Sequence, residues 1–237
     1  MFQHIKALLI SPWYRNTAVI VALCCLFFGT AIFGGIACNI SNNQLQKFDS
    51  GIMLKIKQFR ESRSPKAKIE IEKTIRDITS LGGVLVISLI TLFAFIFLLI
   101  KRQYLLMLLT LAIIVGGTAL NYWLKIWFAR SRPDELLHLM VEKCNSFPSG
   151  HSMLSAALYF SLAFIFAINQ SAKAIKTHIT TTACIIVFAV GLSRIYLGVH
   201  YPTDVLAGWS MGLAWAALWW IIGLRKYQGI DQKFDNA

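Results

Sequence analysis

Long apolar runs alternate with short polar breaks along most of this chain. Six runs stand out, at 17–38, 78–100, 104–124, 152–168, 179–197 and 204–224. A helix rises 1.5 Å per residue, so about 20 apolar residues are needed to cross a hydrocarbon layer. The run 152–168 is short, and the run 179–197 carries Ser193 and Arg194 near its end. The segment 39–77 has a different pattern: Leu45, Phe48, Ile52, Ile56 and Phe59 follow one another at spacings of 3, 4, 4 and 3, one stripe of a helix. Lys47, Lys55, Lys57 and Arg60 occupy its other faces. Two arrangements fit that stripe, a helix lying along the membrane interface or a plain helical hairpin. The pattern predicts an all-α polytopic membrane protein, a six-transmembrane-helix bundle. A partly helical loop separates its first two spans, and a single domain covers residues 1–237.

Composition agrees with that class. The chain is 57% hydrophobic and only 14% charged, with a mean hydropathy of +0.61, too little polar surface for a soluble fold. The first run has basic flanks at Lys6 and Arg15 but exceeds the roughly 7–15 apolar residues of a secretory leader. Gly35 in "GGIACN" departs from a lipoprotein cleavage site, so the run is read as a helix. Of five cysteines, Cys24, Cys25 and Cys184 fall within predicted spans, where a thiol behaves as a small apolar group. Cys38 and Cys144 fall on one predicted side, and their spacing leaves pairing open. The net charge of +12 is assigned to topology and anionic lipid rather than to nucleic acid.

With the N-terminus in the cytoplasm, nine of the 23 Lys and Arg residues lie inside and 14 outside, against the positive-inside rule. Nine of the outer ones belong to the loop 39–77, where Asp49, Glu61, Glu70, Glu72 and Asp77 are interleaved with them. Three more, Lys125, Arg132 and Arg194, have a chemical explanation. Setting these aside leaves nine inside and two outside, so the orientation stands.

The unusual residues fall at three span ends: "KIWFARSRP" at 125–133, "PSGH" at 148–151 and "SRIYLGVHYPTD" at 193–204. Helices alternate direction, so all three must share one membrane face. Lys125, Arg132 and Arg194, with too few local acids to neutralise them, predict a multiply charged anion between them. Phosphate fits the fork of an arginine and the point charge of a lysine. Ser149 and Gly150 precede a helix start, where free N–H groups bind anions. His200 is followed four residues later by Asp204, which can hold one ring N–H and leave the other nitrogen to attack phosphorus. His151 is placed to protonate the leaving oxygen. A two-step displacement through a phosphohistidine follows, hydrolysed by water with His151 as base.

These residues resemble the type 2 phosphatidic acid phosphatase superfamily of membrane lipid phosphatases. Lys125 with Arg132-Pro133, then 148–151, then Ser193-Arg194 with His200 and Asp204 match its signature at every spacing. "RDITSLGG" at 76–83 is similar to what bacterial members carry before their second span. The resemblance implies a six-helix bundle, no metal or other cofactor, and a site on the extracytoplasmic face of the bacterial inner membrane. It implies His200 as nucleophile, His151 as general acid, Asp204 as orienting acid, and Lys125, Arg132, Ser149, Gly150 and Arg194 as phosphate ligands. The expected partner is a lipid phosphate within the bilayer, with undecaprenyl diphosphate the preferred substrate.

Two other functions compete: a lipid phosphotransferase using the same site, and an anion transporter or channel. Transporters bind near mid-membrane on broken helices, whereas these charges gather at one face. A metal on His151, His200 and Asp204 is disfavoured by the three neighbouring cations. Arg130 is read as an interfacial anchor, and Asp134, Glu135 and His138 as solvated. Trp219, Trp220 and Tyr227 are read as an aromatic belt, while His4 and His178 fall on the opposite face.

Overall fold

The computed structural model describes residues 12–40, 42–134, 137–140, 142, 144–168 and 170–235. The readings of His4, Lys6, Glu135 and Lys143 fall outside them, as do those of the Arg15 and Tyr227 side chains. The described residues form eight helices: α1 (Pro12–Cys38), α2 (Asn43–Glu61), α3 (Pro65–Ser80), α4 (Val84–Ile100), α5 (Tyr104–Phe128), α6 (Gly150–Ile168), α7 (Lys173–Tyr196) and α8 (Pro202–Asp235). Six stretches of helix are long and apolar enough to cross a membrane. They correspond to the six runs read from the sequence.

The segment 39–77 folds as two successive helices, α2 and the greater part of α3. Asn42 caps α2 by accepting the Gln44 N–H at 2.8 Å, and Ser64 caps α3, with Pro65 as its first residue. The stripe is shared between two surroundings. Ile52 and Ile56 pack with buried Met53 against Ile195 and Val205, while Phe48 and Phe59 stay exposed. One expected surface charge, Asp49, is fully buried.

The run 78–100 is not one straight helix. Gly82 and Gly83 break it into α3 and α4, with Gly83 in extended conformation before α4. The corner is pinned where the Tyr159 hydroxyl donates to the Leu81 carbonyl at 2.8 Å. A Cβ at Gly82 would come within 3.2 Å of the His151 carbonyl, so the break brings this corner against the start of α6.

Helix α8 is the hub, touching α1, α2, α5, α6 and α7. Apolar burial cannot drive helices together within lipid, so close packing must, and small residues permit it. Gly208 and Gly212, one turn apart on α8, lie against Ser149, Ser152 and Met153 of the α6 entry. A Cβ on Gly208 would sit 2.7 Å from the Ser149 carbonyl, and one on Gly212 would collide with the Met153 carbonyl. Trp219 and Trp220 take part in this packing instead of forming an outer belt. Trp220 stacks on Phe164 with centroids 4.8 Å apart and donates to the Ser161 hydroxyl. Tyr122, Trp123 and Trp127 near the end of α5 are exposed and face outward.

Gly212→Ala is expected to separate α6 from α8 and cost about 1–3 kcal/mol, the usual range for overpacking. Thermal unfolding in detergent checks this, with Gly34→Ala as control because nothing lies within 4 Å of its added carbon.

Candidate active site

Three connections bring the predicted residues to one place. The α5 exit carries Lys125, the loop after it carries Arg130 and Arg132, and the α6 entry carries Ser149, Gly150 and His151. The α7 end carries Arg194, and the turn into α8 carries His200 and Asp204. Backbone bonds lock these segments together. The Ser149 N–H donates to the Asp204 carbonyl at 3.0 Å, Ser146 to Arg130 at 2.9 Å, and Val199 to Arg194 at 3.3 Å.

His200 is 2% exposed and sits between two unlike groups. Its Nδ1 faces the Ser146 hydroxyl at 3.4 Å and the Asp204 carboxylate at 3.7 Å. Ser146 donates its one proton to Asp204 Oδ2, so it can only accept from His200. On the other side Nε2 faces Arg132 Nη1 at 3.4 Å, and an arginine can only donate. The network therefore assigns the proton to Nδ1 and the lone pair to Nε2. Burial pushes the His200 pKa down to about 4, against the upward pull of Asp204, so the ring is neutral at pH 7.

The three cations converge around an acid that the sequence reading did not single out. Glu142 pairs with Arg194 and lies 3.6 Å from Arg132 Nη2. Burial alone would raise its carboxyl pKa, but Arg194 and Arg132 outweigh that and hold it below the usual range. Arg194 is fully buried, and its Nε has no hydrogen-bond partner among the described residues. Arg132 is braced by the carbonyls of Cys144 and Val199, each at 2.6 Å. Lys125 Nζ donates to the Asn145 carbonyl, and Asn145 Nδ2 returns a bond to the Lys125 carbonyl at 2.9 Å. His151 lies within electrostatic reach of Arg194, Glu142, His200 and Lys125.

The cradle differs in one detail from expectation. The Ser149 N–H is already engaged by Asp204, so the amides without a backbone acceptor among the described residues at this helix start are those of Gly150, His151 and Ser152. Asn121, one turn before Lys125, supports the turn: a Cβ on Gly150 would meet its Oδ1 at 3.0 Å.

Arg130 is not an interfacial anchor. Its guanidinium bridges Asp204 at 2.6 Å and Asp49 of α2 at 2.8 Å, and lies over the Tyr201 ring. His138 is half-buried, and its Nε2 is shielded from water without a partner among the described residues. Asp134 is exposed, as expected. Cys38 and Cys144 are both free and exposed. Ser146 could have been suspected from its place beside "PSGH"; Asp49 and Glu142 carried no local signal.

Comparison with known proteins points the same way. The family model described as the PAP2 superfamily matches residues 102–228. Phosphatidylglycerophosphatase B of Bacillus subtilis is 43% identical over 106 residues, 44% of this chain and 52% of that protein. Bacitracin transport permease protein BcrC of Bacillus licheniformis is 42% identical over 69 residues, 29% of each chain. These alignments thus span about half or less of the curated relatives' lengths. A crystal structure described as the first transmembrane PAP2 type phosphatidylglycerolphosphate phosphatase from Bacillus subtilis superposes with a TM-score of 0.72 at 30% identity. That match covers 87% of this chain and 97% of the other.

Because Glu142 occupies the two arginines that an incoming anion would need, Glu142→Gln is expected to bind inorganic phosphate more tightly. A competitor holding the site nine-tenths of the time weakens apparent affinity about tenfold, which sets the scale of the gain. Calorimetric titration with phosphate reads it directly; weaker binding in the variant would show that Glu142 supports the anion site instead of competing for it.

Proposed function

The chain belongs to the PAP2 superfamily, and from that membership and the pocket's geometry we propose that it is a membrane lipid phosphatase. One domain carries the reaction, with its pocket on the extracytoplasmic side of a bacterial inner membrane. The observation that carries this reading is the assigned tautomer of His200. Its Nε2 lone pair is presented to the arginine cluster, while Nδ1–H is held from behind by Ser146 and Asp204.

In the first step His200 Nε2 attacks phosphorus, the bond to the lipid oxygen breaks, and His151 gives that oxygen its proton. In the second, His151 removes a proton from water, the hydroxide displaces His200, and inorganic phosphate leaves. Lys125, Arg132 and Arg194, with the Gly150 and His151 amides, stabilise charge on the non-bridging oxygens. The Ser149 hydroxyl accepts from Ser152 at 3.1 Å and keeps its own proton available for an oxygen of the substrate.

The substrate is the terminal phosphate of a bilayer lipid. Phosphatidylglycerophosphate is the first lipid to test, because a similar curated protein and a similar solved structure, both from Bacillus subtilis, carry that activity in their descriptions. Undecaprenyl diphosphate is the second: it presents the same terminal group and is the lipid preferred on sequence resemblance. Transfer to a lipid acceptor in place of water uses the same residues, and product analysis separates the two.

His200→Ala is expected to abolish phosphate release from a purified lipid panel. His151→Ala should retain a slow reaction with p-nitrophenyl phosphate, whose leaving group needs no proton. Orthovanadate should inhibit and a chelator should not. Full turnover by His200→Ala removes the nucleophile assignment. The pH dependence has a definite sign. Protonation removes the Nε2 lone pair, and the free-enzyme pKa lies at about 4. The profile of kcat/KM should therefore stay level as pH falls from 7 towards 5 and drop only on passing through about 4.

A further inference from the structure

Behind His200 lies a second charged assembly that phosphate binding does not require. Asp49 belongs to α2, an outer helix with most of its residues exposed, yet its own side chain is fully buried. An isolated buried carboxylate is costly, so its partners matter. Asp49 Oδ1 accepts the Thr203 N–H at 3.1 Å, and Oδ2 accepts the Thr203 hydroxyl at 2.6 Å. Oδ2 also takes Arg130 Nη2 at 2.8 Å. Arg130 Nη1 reaches Asp204 Oδ1 at 2.6 Å and the Thr203 hydroxyl at 2.9 Å. One guanidinium thus spans two buried carboxylates, one from an outer helix and one beside the histidine.

The division of labour on Asp204 makes this more than scaffolding. Its Oδ2 serves Ser146 and the Tyr201 N–H and faces His200. Its Oδ1 is held by Arg130, so the guanidinium fixes how the carboxylate is turned towards the ring. Asp49 fixes the guanidinium from the far side and shares its charge. Without Asp49, all of the Arg130 charge would fall on Asp204 and weaken its hold on a cationic ring.

We propose that Asp49 and Arg130 are positioning residues for phosphoryl transfer, so that α2 sets the orientation and the effective charge of Asp204 and, through it, of His200. The proposal rests on the phosphatase reading above. The groups facing His200 are Asp204, Ser146, Arg132 and Arg194, with Glu142 and His151 further off. Those facing Arg130 are Asp49, Asp204, Thr203 and the Tyr201 ring, with Asp134 acting on Tyr201 from outside.

The test compares Asp49→Asn, Arg130→Gln, the double variant and His200→Gln, assayed on one lipid phosphate in detergent with thermal unfolding measured alongside. Asparagine keeps one oxygen for the Thr203 N–H that docks α2 but loses the charge and the acceptor facing Arg130, so Asp49→Asn should still fold. Its kcat should fall about 10- to 100-fold, the scale known for losing the group behind a metal-bound histidine, with KM unchanged. Its acid limb should move to lower pH, because the uncompensated guanidinium opposes ring protonation. Arg130→Gln should move the limb to higher pH, and the double variant should outperform the product of the single effects. Wild-type kcat and acid limb in Asp49→Asn, with His200→Gln inactive, would overturn this proposal alone. Acid limbs that shift the same way in both single variants would also overturn it, since loss of structure has no sign. If Asp49→Asn fails to fold, the direction of the Arg130→Gln shift decides. Activity in His200→Gln would instead remove the phosphatase mechanism beneath it.

Discussion

Charge in a membrane protein must be answered by charge, and that demand organises one end of this bundle. Four cations, Lys125, Arg130, Arg132 and Arg194, and three acids, Asp49, Glu142 and Asp204, meet there. Taking an ion from water costs several kcal/mol even after relaxation, and only well-placed partners return it. The pairing is uneven. Arg130 has two carboxylates, whereas Arg132 and Arg194 share one and Lys125 leans on a backbone carbonyl. The rigid half of the network lies behind His200. The under-compensated half lies in front, where a phosphate would bring more negative charge than Glu142 does.

The fold serves that imbalance. α8 carries Asp204 in its first turn, and α6 begins at the amides beside His151. The glycines at 208 and 212 let the two helix entries approach until the Ser149 N–H reaches the Asp204 carbonyl. The same residue thus anchors the turn through its backbone and the histidine through its side chain. α2 and the α3–α4 corner close the arrangement from outside, the corner meeting Arg194 where Thr79 accepts from Nη1 at 3.2 Å.

Spans and signature residues were readable because each depends on near neighbours. A run of about 20 apolar residues is a local property, and the spacings of Lys125, Arg132, His151, Arg194, His200 and Asp204 place them at helix ends whose shared face follows from parity. What was missed depends on distant pairing. Asp49 looked like one charge among many in a polar loop, and nothing nearby reveals that it meets Thr203 and Arg130. Arg130 reads as an anchor in the sequence because its acids lie far along the chain. Glu142 stands only ten residues from Arg132, but its partners could be recognised only once α7 had been folded against that loop. Trp219 and Trp220 looked like a girdle by position, and close packing between α6 and α8 claimed them instead.

The exposed rings on α5 carry a consequence of their own. Trp123 and Trp127 flank Lys125 along the helix and point outward, at 68% and 83% exposure. Indole settles at the boundary between hydrocarbon and water, so two such rings act as a depth gauge for the lysine between them. On the lipid-phosphatase reading proposed above, that depth is the level where phospholipids keep their own phosphorus. On that reading a lipid arriving by lateral diffusion keeps its tails in the bilayer, and the energy of extracting them stays out of the barrier.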